Sequence, residues 1–207
     1  MKLLMALLGA GVLTLGVIGP ASATDDLLAR MARVNPSLHA YTATMHAHVA
    51  LTTFPFVSTD LSGTLYHKDP DLYKLDITSG LPGIAAQFSK LYPHIEPPAL
   101  WNRFFVVSVL ADNGTATAFH LVPRKRGNVD HIDALVDDRS ATVTSMRWNY
   151  RNGGSATMND RYATIGGNLV VTSQTGEVEE PAYKGNITST LDNYVFNPPL
   201  EDAIFQD

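Results

Sequence analysis

The chain has 207 residues, with 15 Lys and Arg against 20 Asp and Glu, a formal net charge of −5, and no cysteine. An acidic balance with one basic cluster, residues 123–126, excludes a nucleic-acid binder, which needs a basic footprint. The lack of cysteine excludes a disulfide scaffold and thiol chemistry.

Residues 1–23 read as a leader. Lys2 precedes an apolar run from Leu3 to Ile18, and Ala21-Ser22-Ala23 gives the small-x-small pattern of a signal-peptidase site. The run is shorter than the roughly 20 residues a transmembrane helix needs. Cleavage before Thr24 leaves residues 24–207 as a single domain, one positive charge poorer and with no Cys to lipidate. A bacterial periplasmic or secreted protein is expected.

The mature chain opens on a helix. Leu27, Leu28, Met31 and Val34 recur at helical spacing, with Thr24 as N-cap, Asp25 and Asp26 in the first turn, and Pro36 as the stop. From His39 to Leu51 the period changes to two. Tyr41, Met45 and Val49 share an apolar phase, while His46 and His48 share the polar one. A strand with Leu61, Gly63 and Leu65 on one phase follows, then a turn at Asp69-Pro70-Asp71 and a strand to Thr78.

Residues 81–98 read differently. Ile84, Phe88 and Leu91 stand at helical spacing, closed by Pro93, Pro97 and Pro98, so a short amphipathic helix and an irregular loop are expected. Strands resume at 104–111 and 116–122 around Asp112-Asn113-Gly114. Further strands are expected at 129–137, 143–150, 156–165, 169–175 and 183–196, punctuated by Asn152-Gly153-Gly154 and Gly166-Gly167-Asn168. The count, about ten strands and two helices, is that of an all-β sheet or barrel. Among the later strands, Phe119 and Leu121 share a phase, as do Met146, Trp148 and Tyr150.

Catalytic chemistry has little to stand on. There is no Gly-x-Ser-x-Gly elbow. Asp137-Asp138 and Glu179-Glu180 are adjacent pairs in turn-like stretches, so they cannot share one substrate atom. In Asp130-His131-Ile132-Asp133, His131 and Asp133 share a face and a His–Asp hydrogen bond is available. His46 and His48 lie about 6.6 Å apart along their strand at 3.3 Å per residue, and could share a metal only with a third ligand. His67 sits on the core-facing phase, opposite to them, and Asp60 offers a single carboxylate. No enzyme, metal or cofactor is therefore expected; a metal-dependent hydrolase using His46 and His48 is the rival reading.

Four stretches carry a family resemblance. Residues 27–44 resemble the opening helix and first strand of the LolA-like family of lipoprotein carriers. Residues 61–77 resemble its glycine–strand–basic-x-Pro-acidic–strand hairpin, residues 119–148 its later Leu-x-Pro strand and the two that follow, and residues 193–200 its closing Phe-x-Pro-Pro. Two features depart from the pattern: the proline-bounded segment 81–98 replaces a strand pair, and the first strand has no arginine. The resemblance implies mainly β structure with short helices: a strongly curved antiparallel sheet, an unclosed half-barrel, with helices over its mouth. It further implies a monomeric, non-enzymatic carrier that binds the acyl chains of a lipid or lipoprotein and moves it between membrane-bound donor and acceptor proteins. An RseB-like sensor is the alternative within the family. The apolar phases then nominate Tyr41, Met45, Val49, Leu61, Leu65, Ile84, Phe88, Leu91, Phe119, Leu121, Met146 and Trp148 as cavity lining, with residues 83–92 or the first helix moving as a lid.

Overall fold

The computed structural model describes residues 23–53, 57–80, 83 and 98–206. The leader therefore lies outside the described residues, apart from Ala23. So do Ile84, Phe88 and Leu91 and the helix expected around them.

Helix α1 (Ala23–Met31) buries Leu27, Leu28 and Met31, the stripe its spacing predicts. Thr24 lies in its first turn rather than before it. Ten strands follow: β1 (Ala40–Leu51), β2 (Ser58–Lys68), β3 (Leu72–Ser79), β4 (Phe105–Asp112), β5 (Ala116–Pro123), β6 (Val129–Asp137), β7 (Thr142–Tyr150), β8 (Ser155–Ile165), β9 (Asn168–Glu180) and β10 (Tyr183–Phe196). Before β4 the chain makes a 3-10 turn (Pro98–Leu100) and a single helical turn, α2 (Trp101–Phe104), just past the loop expected within 81–98, so Phe104 is helical rather than the first residue of the strand. The Glu179-Glu180 pair, expected in a turn, closes strand β9 instead.

All ten strands form one antiparallel sheet in the order β3-β2-β1-β10-β9-β8-β7-β6-β5-β4. Two meanders, β1–β3 and β4–β10, are joined by the pairing of the first strand with the last. The ends of the order, β3 and β4, do not pair with each other, so the sheet is open.

Bulges drive the curvature, because an extra residue in one strand bends it and raises the local twist. Register shifts occur in β1–β10, β2–β3, β4–β5, β6–β7 and β8–β9. Gly63 shows why one of them requires glycine: a Cβ there would meet the Asp76 carbonyl oxygen at 2.3 Å.

The inner face is apolar, but it is not uniform. One cluster gathers α1, Trp101, Phe119, Leu121, Ile132, Met146 and Trp148. A second holds Met45, Ala47, Val49 and Leu61, and a third Ala43, Leu65 and Leu191.

Candidate functional site: a cavity between the first helix and the sheet

A cavity of about 540 Å³ lies between the end of α1 and the inner face of the sheet. Met31, Val34 and Leu38 close it from the helix side, and Pro98–Leu100 borders it. Its sheet wall comes from β1, β2, β3, β8, β9 and β10, including Tyr41, Leu65, Tyr73, Val171, Leu191 and Tyr194.

Two bulges shape this wall. On β9, Gln174 pairs with Asp160 and Val171 with Tyr162, so the three-residue step from 174 to 171 is set against a two-residue step on β8. Both Gln174 and Val171 consequently face the cavity. On β10, Leu191 and Tyr194 are also three apart, and the bulge residue Asn193 takes φ of 50°, in the left-handed region. Without these bulges, Val171 or Tyr194 would point to the outer face.

The wall is aromatic along one line. Tyr41 stacks on His67 with centroids 4.9 Å apart, and meets Tyr194 at 5.6 Å. Tyr194 stacks in turn on Phe196 at 5.7 Å. The Tyr194 hydroxyl donates to the Val171 carbonyl, and the Tyr162 hydroxyl donates to the Val143 carbonyl at 2.8 Å.

A polar row crosses the floor. Asp160 on β8, Gln174 on β9 and Ser189 on β10 are register neighbours. Gln174 Nε2 donates to Asp160 Oδ1 at 2.9 Å, while its Oε1 accepts from Ser189 Oγ at 3.4 Å. Burial pushes the Asp160 carboxyl up to about 6, against the opposing effect of the Gln174 hydrogen bond. Tyr162 is raised as well, first by burial and then by the Asp160 charge. The cavity therefore holds a carboxyl group, Asp160, that burial raises to about 6.

The predicted lining residues divide. Tyr41 and Leu65 face the cavity. Met45, Val49 and Leu61 are buried on the same inner face, in the second cluster. Phe119, Leu121, Met146 and Trp148 belong to the packed core beneath α1. Trp101 fills the concavity there, with its ring edge-on to Phe119 at 5.8 Å and no solvent exposure. Asp160 and Gln174 were not predicted. The signal for Asp160 was available: an acidic residue stands on the phase of Ala156, Met158 and Tyr162.

His46 and His48 are exposed on the outer face, as the polar phase predicts. His48 Nδ1 lies 2.8 Å from Asp60 Oδ1, and His46 Nδ1 lies 3.1 Å from Ser62 Oγ. Among the described residues, the two histidines gain no third metal ligand. His67 faces the cavity, on the other side of the sheet.

The first helix and the segment after it are tied to the sheet beside the cavity. Asn35 Nδ2 donates to the Leu169 carbonyl at 2.8 Å, and Leu169 N–H donates back to Asn35 Oδ1 at 2.9 Å. Arg30 donates to the Asp138 carbonyl at 2.8 Å.

No family model matches the sequence, and no curated protein matches it. Solved structures do match the fold. A domain assigned as an outer membrane lipoprotein-sorting protein from Vibrio parahaemolyticus is 10% identical over 87% of this chain and 95% of that one, with a TM-score of 0.63. A DUF1329 family protein from Desulfovibrio piger is 13% identical over 90% and 97%, at 0.60. A LolA superfamily protein from Nitrosomonas europaea is 9% identical over 88% and 97%, at 0.55. The likeness at these identities is one of fold: the chain has a LolA-like fold, an unclosed curved antiparallel sheet with short helices on its inner face.

Proposed function

We propose that the protein is a non-enzymatic periplasmic carrier that shields the acyl chain of a lipid or lipoprotein in the cavity between α1 and the sheet. The cavity itself supports this reading most directly. Its volume of about 540 Å³ falls in the range of small-ligand sites, roughly 300–1,000 Å³, and its wall is mainly apolar and aromatic. Tyr41, Leu65, Tyr73, Val171, Leu191 and Tyr194 would contact the chain. Each methylene moved from water into the cavity contributes about 0.8 kcal/mol, so binding needs neither cofactor nor bond chemistry. Similarity to a lipoprotein-sorting domain and a leader-like N-terminus support the periplasmic setting.

Asp160 tunes this site. Its ionised form disfavours an apolar chain beside it, so uptake strengthens as pH falls through about 6. Mass spectrometry of organic extracts from protein gently purified from a bacterial periplasm tests the reading. A stoichiometric co-purifying lipid or acylated peptide is expected. Protein that emerges empty, and takes up no fatty acid when offered one, contradicts it.

A further inference from the structure

On the outer face of the sheet, away from the cavity, strands β5 and β6 bring three ligand-type side chains together. The same two strands send Phe119, Leu121, Ile132 and Ala134 inward to the core. Alternation then sends His120, His131 and Asp133 outward. His120 and Asp133 are directly opposite in the antiparallel register, and His131 lies two residues before Asp133 on the same face.

The geometry is tight. His120 Nδ1 lies 2.7 Å from Asp133 Oδ1, and His131 Nε2 lies 3.6 Å from Asp133 Oδ2. The two imidazole centroids are 4.8 Å apart. One ligand atom from each residue lies within 4.8 Å of the other two. The side chains of His120, His131 and Asp133 are 28%, 29% and 37% exposed, so the cluster is walled on one side and open to water on the other.

A supporting layer stands behind the first. His131 Nδ1 lies 3.1 Å from Asp130 Oδ2, and Asp130 Oδ1 lies 3.1 Å from an Arg151 guanidinium nitrogen. An imidazole whose Nδ1–H donates to a carboxylate presents its Nε2 lone pair to a metal, with its ring orientation fixed. Arg147, opposite Asp133 on β7, donates instead to Asn149 Oδ1 at 3.3 Å and Ser155 Oγ at 3.1 Å.

We propose that His120, His131 and Asp133 form a three-ligand site for a divalent transition-metal ion of the zinc class, with water in an open fourth position. Two imidazoles and one carboxylate suit zinc, whereas calcium and magnesium prefer all-oxygen sets. Tetrahedral bonds of about 2.0 Å place ligand atoms roughly 3.3 Å apart, within reach of small side-chain rotations here. The ion takes the place of the hydrogen between His120 Nδ1 and Asp133, and the neutral His120 ring then carries its one proton on Nε2. Asp130 is a positioning residue that acts through His131. The site is independent of the carrier reading, because it lies on the opposite face of the sheet.

Calorimetric titration of the tag-free protein with zinc chloride, and separately with magnesium chloride, tests the assignment. One zinc per chain and no magnesium uptake are expected. The double variant His120→Gln/His131→Gln should bind zinc at least tenfold more weakly, while His46→Gln/His48→Gln should bind as the parent does. Asp130→Asn should weaken binding by roughly 10–100-fold and leave the stoichiometry intact. Cobalt should give the visible bands of a tetrahedral site in the parent, and these should vanish in the first double variant. If that variant fails to fold, the imidazole resonances of the parent decide: zinc must shift those of His120 and His131 and spare those of His46 and His48. Lack of stoichiometric zinc binding, retention of it without His120 and His131, or the reverse pattern of resonance shifts overturns the proposal.

Discussion

The two ends of the concave face handle the same problem differently. Under strands β4–β7 the concavity is filled: α1 and Trp101 pack against Phe119, Leu121, Met146 and Trp148. Under β1–β3 and β8–β10 it is left partly open, and Tyr41, Tyr73, Val171 and Tyr194 stand half-buried around a cavity. Both ends use alternating apolar strands. What differs is the plug: a whole indole enters one end, while among the described residues the last turn of α1, the residues after it and Pro98–Leu100 border the other. The cavity end also carries a hydrogen-bonded row of polar groups, Asp160, Gln174 and Ser189.

Substitutions should separate the two ends. The largest effect is expected at the filled end. Trp101→Ala removes a fully buried indole and should cost about 3–5 kcal/mol, read as a lower denaturant midpoint. A loss below about 1 kcal/mol would show that the indole does not hold that end together.

At the cavity end the next effect depends on pH. Burial raises the folded carboxyl of Asp160 to about 6, well above the usual carboxylate range. The folded state therefore holds its proton more tightly than the unfolded chain. This contribution to stability is complete below about pH 4 and is lost as pH rises toward and through 6. Asp160→Asn removes it, so the variant minus parent difference should grow in the variant's favour across that window, by up to about 3 kcal/mol. The difference isolates Asp160 from Asp137 and Glu179, whose carboxyls are held below their usual values by Ser140 and Lys184 hydrogen bonds respectively. A flat difference between pH 4 and 7 would mean that the Asp160 carboxyl is effectively solvated.

The smallest effect belongs outside both ends. Lys68 donates to Asp202 Oδ1 at 2.6 Å and to the Leu200 carbonyl at 2.8 Å, tying the C-terminal segment to β2. Asp202 is mostly exposed and Lys68 partly so, and Lys68→Met keeps the apolar stem, so it should change stability by no more than about 1 kcal/mol, and less in high salt. A larger loss would give the C-terminal segment a structural role that its exposure does not suggest.

The period-two pattern made much of this legible. It placed all ten strands, and it put His46 and His48 on the outer face of β1 with Tyr41 and Met45 inside. Alternation reports which face a residue takes, but not whether that part of the face is plugged. Phe119 and Trp148 thus looked equivalent to Leu65, because the partner that distinguishes them, Trp101, comes from a single helical turn that runs straight into β4 and is too short to show a period. Alternation also fails at a bulge. Val171 and Tyr194 reach the cavity only because β9 and β10 each carry an extra residue, and a bulge leaves no reliable mark in one sequence. Of the His120–His131–Asp133 cluster, alternation showed His131 and Asp133 on one face, but His120 was hidden for a third reason. Its closest contact is set by cross-strand register, and His120 and Asp133 are 13 residues apart in the chain.

The most direct test of the central claim fills the cavity. Val171 is half-buried in its wall, and Val171→Trp projects an indole into the space with the β9 backbone unchanged. Titration with a fluorescent fatty acid should show saturable uptake of one molecule per chain by the parent. It should show at least tenfold weaker uptake by the variant, with both proteins melting at similar temperatures. Uptake that is undiminished in a folded Val171→Trp variant, or absent from the parent, would contradict the assignment of this cavity as an acyl-chain site.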